Sequence, residues 1–310
     1  MKKFLSLALC LFLSLNLFAG GDGWETNFEA AKQKASKENK ALLVDFTGTD
    51  WCGWCIRLKE EVFDHKEFSD FANQHFILVE IDYPQKKVQS DEIKAQNEKL
   101  KNTYQIQGYP TILVMDAEGR PFAKTGYQAG GPATYNKHLT QLLGQGQKIK
   151  QAFAEAKKTS GIAQAKKLAI ALESIPQELN SHYKAEMEMI FAADPEDTTG
   201  FKKAYELKSS LKALAGQVVQ IARQGDISKA EKMVDDFISK HQLSGENKQK
   251  ALLAKLKCYD PRKEGVLQIA DKLMDEVIAI DANSQSASMA KNIKKQITQM
   301  IAQKKAQPQK

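Results

Sequence analysis

The sequence predicts an α/β domain over residues 22–145 followed by an all-α region over 146–303. Three observations carry that prediction. The run Ala41 to Phe46 is apolar, of strand length, and turns at Thr47 to Asp50 into a stretch holding two cysteines three apart, Cys52 and Cys55. Residues Phe76 to Asp82 form a second strand-like run with apolar side chains on both faces, and a turn at Asp116-Ala-Glu-Gly119 separates two short runs that read as a hairpin. Beyond Gly144-Gln-Gly146 no convincing strand follows, and apolar residues recur three and four apart.

Residues 1–21 have a basic start at Lys2 and Lys3, an apolar stretch from Phe4 to Phe18 and small residues at Ala19-Gly20-Gly21, the composition of a signal peptide. The stretch is short for a membrane span, and Cys10 follows Leu9 rather than a small residue, which argues against a lipid anchor. Cleavage after Ala19 or Gly21 places the mature chain in the periplasm or outside the cell, where disulfides form and persist. The 310 residues carry 45 basic against 38 acidic side chains, a formal charge of +7. The lysines are interleaved with Glu and Asp and no recognition motif accompanies them, so they read as solvated surface and not as a nucleic-acid site.

From Trp24 to Asn39 the spacing of Trp24, Phe28, Ala31 and Ala35 predicts a covering helix. A strand over Ala41–Phe46 leads into a loop and a helix starting near Cys52, whose apolar face continues through Leu58, Val62 and Phe63. Phe68, Phe71 and Ala72 suggest another helix before the central strand Phe76–Asp82. The polar, lysine-rich connection from Tyr83 to Gln107 has a thin helical stripe at Ile93, Leu100 and Tyr104; it reads as a solvated spacer, or as a surface that orients a substrate near Pro110. Thr111–Met115 and Pro121–Thr125 form the hairpin, and a helix follows through Tyr135, Leu139 and Leu142.

Two cysteines three apart on a helix share a face, close enough for a disulfide in a very small ring. In the first turn Cys52 would meet free backbone N–H groups and the positive end of the helix dipole, which favour the thiolate, the nucleophile of disulfide exchange. The same spacing also supplies half of a zinc site. The remaining cysteines, Cys10 and Cys258, are remote, and His65, His75, His138, His182 and His241 form no His-x-x-x-His pair, so zinc is the weaker reading.

Val44-Asp45-Phe46, Trp51-Cys-Gly-Trp-Cys55 and Gly108-Tyr-Pro-Thr111, in this order, resemble the thioredoxin superfamily, in particular its secreted members, over Trp24 to about Gly144. The resemblance implies that Cys52 attacks, Cys55 resolves, and Asp45 is a buried acid exchanging a proton with Cys55. It implies that Pro110 follows a cis bond and that Trp51, Trp54, Tyr109, Pro110 and Thr111 contact the substrate. The chain departs from the family in three places. The stretch from Asp45 to Trp51 is one residue longer than in typical thioredoxin, Leu78 stands where thioredoxin keeps a lysine, and Gly53-Trp54 separates the cysteines. The direction of electron flow is therefore not inherited.

In the second half, Ile227, Ala230, Met233, Val234, Phe237 and Ile238 give a strong helical stripe. Gly161–Leu168 resembles Asp226–Met233, Asp194-Pro195 recurs as Asp260-Pro261, and Gly200 recurs as Gly265, a period of 65 to 66 residues that suggests stacked helical units. Cys258 reads as a buried small apolar residue, or else a regulatory thiol. Ile293, Ile297, Met300 and Ile301, flanked by lysines, pack on their own domain or lie on an anionic membrane surface, and residues 304–310 form a flexible tail.

The expected activity is thiol–disulfide exchange on exported cysteine-containing proteins, with a membrane-bound recycling partner and neither metal nor organic cofactor. The helical half would bind protein or self-associate. The rival expectation is a helical scaffold or chaperone-like binder whose disulfide is structural.

Overall fold

The computed structural model describes residues 23–263 and 265–306. The expected signal peptide, with Cys10, lies outside the described residues. Packing divides the chain into two compact units, the first ending at Thr199 and the second beginning at Gly200.

The first unit is built on a five-stranded sheet in the order β1-β3-β2-β4-β5, with β1 Trp24–Glu25, β2 Ala41–Thr47, β3 Phe76–Asp82, β4 Thr111–Met115 and β5 Pro121–Thr125. β1 and β2 run parallel to β3, while β4 is antiparallel to both β2 and β5. The central strand β2 is buried from Leu42 to Thr47, as an apolar run covered on both faces must be. Trp24 lies in the edge strand β1, paired with Leu78, and not in the first helix as its spacing suggested. Asn27 decides this: its side chain accepts the Ala30 N–H and caps α1, Phe28–Glu38, so the helix cannot begin earlier.

On one face of the sheet, Phe28 of α1 and Phe46 of β2 pack edge-on against Tyr104, which caps α4, Asp91–Thr103. On the other, α2 (Gly53–Leu58) runs through a π-helical turn, Lys59–Phe63, towards α3 (Lys66–His75). Phe63, Phe68 and the fully buried Tyr135 form its aromatic core.

The helix α5 runs unbroken from Gly131 to Ala156, through the Gly144–Gly146 pair at which the sequence suggested a domain boundary. Gly146 has a packing reason: a Cβ there would come within 2.5 Å of the Phe122 ring, so only glycine lets β5 approach the helix. The helices α6 (Gly161–Glu173) and α7 (Lys184–Ala193) join the same unit, with a 3-10 segment Gln177–Tyr183 between them. Tyr183 is buried and its hydroxyl donates to the Pro121 carbonyl, Arg120 pairs with Glu186 at 2.8 Å, and His182 lies against Tyr104.

The second unit contains α8 (Phe201–Arg223), α9 (Ile227–Lys240), α10 (Gly245–Lys255), α11 (Val266–Ile280) and α12 (Gln285–Ala306). One cluster joins α8, α9 and α10 and includes Cys258, a free buried cysteine whose thiol burial pushes upward. A second joins α10, α11 and α12; here Ile297 is buried, and Ile293, Met300 and Ile301 pack against it. The C-terminal stripe thus covers its own unit, and α12 continues to Ala306, past the expected start of the tail at Lys304. Among the described residues no helix is long and apolar enough to cross a membrane.

Candidate active site

β2 ends at Thr47, and the chain turns through Gly48 to Trp51 before α2 begins. A Cβ on Gly48 would meet the Trp51 indole at 2.6 Å, so this glycine lets the ring fold back over the loop. The indole Nε1 donates to the Tyr83 carbonyl at 2.7 Å, which fixes it against the chain after β3. Cys52 is the residue before the helix and not part of its first turn: its backbone is extended, and its Sγ accepts the Cys55 N–H at 3.2 Å. That bond aims a backbone dipole at the sulfur whose thiolate it would stabilise after reduction. Cys55 sits one turn in, and the two form a disulfide. Both cysteines are nearly closed off, at 7% and 5% exposure, while Trp51 and Trp54 stand out at 40% and 56%.

Trp54 is held from its other side. The Tyr127 ring lies 5.1 Å away, Arg57 stacks near both rings, and Glu61 accepts from Arg57 and from the Tyr127 hydroxyl, each at 2.6 Å. Together these groups make an aromatic rim.

The Tyr109–Pro110 bond is cis. Thr111 Oγ1 donates to the Gly108 carbonyl at 2.8 Å, closing the turn, and Gly126 leaves room for the Pro110 carbonyl, which a Cβ would approach to 3.1 Å. Tyr109 packs edge-on to Trp51 at 5.8 Å and against Tyr83 at 5.2 Å. The Trp51 side of the Cys-x-x-Cys loop and the turn before Pro110 therefore meet, though they are far apart in sequence.

Asp45 is buried at the centre of the sheet, and its Oδ1 has no hydrogen-bond partner. Burial, reinforced by the Glu80 and Asp82 carboxylates, pushes its carboxyl well above the ordinary range. Glu80, its register partner on β3, is the residue that the sequence reading did not assign to the site. Burial and Asp82 raise it as well, while Lys87 and Lys59 act the other way. Asp82 is committed elsewhere, accepting from the Thr49 N–H and hydroxyl. The signal for Glu80 was its place as an acid inside a strand whose one other polar residue is the terminal Asp82; what was missing was the register that sets it beside Asp45.

A thioredoxin-like domain matches residues 28–143. The disulfide bond reductase DsbH of Chlamydia pneumoniae is 38% identical over 120 residues, which span 39% of this chain and 72% of that protein. The chain belongs to the thioredoxin-like family. A second relative, the thioredoxin-related protein DsbJ of Chlamydia pneumoniae, is 31% identical over 103 residues, covering 33% of this chain and 30% of that protein. Among solved structures, a DsbH oxidoreductase is 36% identical and covers 39% of this chain and 83% of its own, with a TM-score of 0.37. With a closed Cys52–Cys55 pair on this fold, the chain is a thiol–disulfide oxidoreductase, and the scaffold alternative is not favoured.

Proposed function

We propose that the chain, when reduced, opens disulfides of exported proteins, with Cys52 as attacking and Cys55 as resolving cysteine. The observation that carries the reading is the pairing of a helix-start sulfur that accepts a backbone N–H with an unpartnered buried carboxyl on the strand leading to it. The Cys52 thiolate attacks one client sulfur, an S–S bond forms between enzyme and client, and the client disulfide breaks with release of one client thiolate. Asp45 takes the proton of the Cys55 thiol, whose thiolate then attacks Cys52 Sγ. The second client thiolate leaves, and the enzyme holds the Cys52–Cys55 disulfide. Two electrons have passed to the client, so a further dithiol donor, which we assign to a membrane-bound partner, must reduce the pair again. Trp51, Trp54 and the Tyr109-Pro110-Thr111 turn position the client backbone.

The reducing direction follows the name of the DsbH relative, and the export of the chain follows the composition of residues 1–21. No metal or organic cofactor enters the scheme. In the helical half, the recurring order of helix, Asp-Pro loop and positive-φ glycine at Gly200 and Gly265 supports the 65 to 66 residue repeat and a role in binding protein.

The test is the equilibrium reduction potential of the Cys52–Cys55 pair against glutathione, followed by tryptophan fluorescence. A value near about −270 mV supports a reductant, and one near about −120 mV would make the protein a disulfide donor instead. Cys52→Ser should abolish exchange; full activity in that variant sinks the assignment.

A further inference from the structure

An open cleft of about 530 Å³ lies between Trp51 and Tyr109, the neighbours of Cys52 and Pro110, and the helix α4. One wall is the trio Trp51, Tyr109 and Tyr83. The other carries Lys94 and Lys101, seven residues apart and therefore on one face of α4, with Lys87 on the loop before it. Glu98 is the only acid in the lining, so the lining carries three cations against one anion. Lys87 donates to the Thr49 hydroxyl at 3.0 Å, but the two lysines of α4 are only loosely engaged. Lys94 reaches Asp91 at 3.4 Å, and Asp91 is fully exposed; Lys101 reaches Glu98 at 3.8 Å and lies over the Tyr83 ring. Exposed pairs of this kind are weak and exchange readily for another carboxylate.

The cleft is held open by fixed groups. Asp50, two residues before Cys52, accepts the backbone N–H groups of Gln85, Lys86 and Lys87 at 2.9, 2.7 and 3.0 Å. The Tyr83 hydroxyl donates to the Asn97 carbonyl at 2.6 Å, and the buried Asn97 donates to the Asp82 carbonyl at 2.8 Å. The segment after β3 and the helix α4 are thereby tied to the same loop that presents the cysteines. A fixed aromatic wall with weakly paired cations of α4 opposite it suits an extended chain that places a carboxylate among the lysines.

We propose that this cleft receives an acidic side chain of the client polypeptide, close in sequence to the client's reacting cysteine. The proposal rests on the reading of Cys52 as the attacking cysteine, whose neighbour Trp51 forms one wall. It makes the residues between β3 and β4 a specificity element of the enzyme.

The experiment uses the full chain, reduced, and two synthetic peptides, each closed by one disulfide and differing only in Glu or Gln placed two residues from either cysteine. At about 20 mM salt, kcat/KM should be about threefold to tenfold higher for the Glu peptide, and the ratio should fall towards one at about 0.5 M, where screening is strong. Combined Lys94→Glu and Lys101→Glu should invert the ratio; should that variant fail to fold, Lys94→Gln with Lys101→Gln should bring it close to one. Equal rates for the two peptides in the unaltered chain overturn the subsite while leaving the exchange reading intact. So does a Glu preference that survives both double variants. If neither peptide is reduced by the unaltered chain, the reducing reading and the subsite fall together.

Discussion

Asp45 and Glu80 are register partners on β2 and β3, and Lys87 and Lys59 act on Glu80 only through space. An acid whose carboxyl is raised in the folded protein binds its proton more tightly there than in the unfolded chain. Its contribution to stability is complete below the ordinary carboxylate pKa and is lost as pH rises through the raised one. Asp45→Asn should therefore be more stable than the unaltered chain at neutral and alkaline pH, with a flatter dependence above about pH 4, read by urea unfolding across pH. The same variant should slow resolution of the mixed disulfide, because the Cys55 proton loses its acceptor. Glu80→Gln removes one of the two repelling carboxylates, so the pH-dependent loss of stability, which still begins near the ordinary carboxylate pKa, should be smaller and end at lower pH. Since burial is the larger cause of the Asp45 shift, that change is partial; an unaltered profile in Glu80→Gln would show that the two carboxyls do not interact. The Val44-Asp45-Phe46 motif singled out Asp45, whereas the place of Glu80 beside it required the strand register.

At the scale of elements, α5 separates two glycines that look alike in sequence. Gly146 lies against the Phe122 ring, while a Cβ on Gly144 meets nothing within 4 Å. Gly144→Ala should stabilise the protein by about 0.5–1 kcal/mol, the usual gain of alanine over glycine inside a helix. Gly146→Leu should cost about 1–3 kcal/mol by forcing Phe122 out of place. Thermal unfolding of the two variants checks both signs. Composition marked the pair as a break because glycine weakens helices, but the close approach of β5 that favours glycine at 146 comes from residues twenty or more positions away. The strands, by contrast, were readable: β2 to β5 coincide with their apolar runs, because a buried strand needs such a run wherever it lies in the sheet.

At the scale of the molecule, the first unit holds more than the thioredoxin-like fold. Tyr183, Arg120–Glu186 and the His182–Tyr104 contact bring α6 and α7 onto the β4–β5 side of the sheet. A chain ending after Thr199 should fold and keep the Cys52–Cys55 chemistry, whereas one ending after Gln145 loses half of α5 and exposes Phe122. The shorter chain should melt well below the longer one or aggregate; equal melting temperatures would show that α6 and α7 add nothing to the first unit. In the second unit the stripe of α9 and the apolar residues of α12 are accounted for by its own two cores, so burial there follows directly from helical periodicity.

The sequence by itself determined the fold class, the positions of strands β2 to β5, the Cys52–Cys55 pair and the cis bond before Pro110, because each depends on local apolar patterning or on a short motif that few folds can use. Tertiary structure alone decided that Cys52 precedes the helix, that Trp24 belongs to an edge strand, that Asp45 has Glu80 beside it, and that α6 and α7 join the first unit. Those four outcomes rest on capping, register and packing between residues distant in the chain, and periodicity along one segment carries no record of what lies across from it.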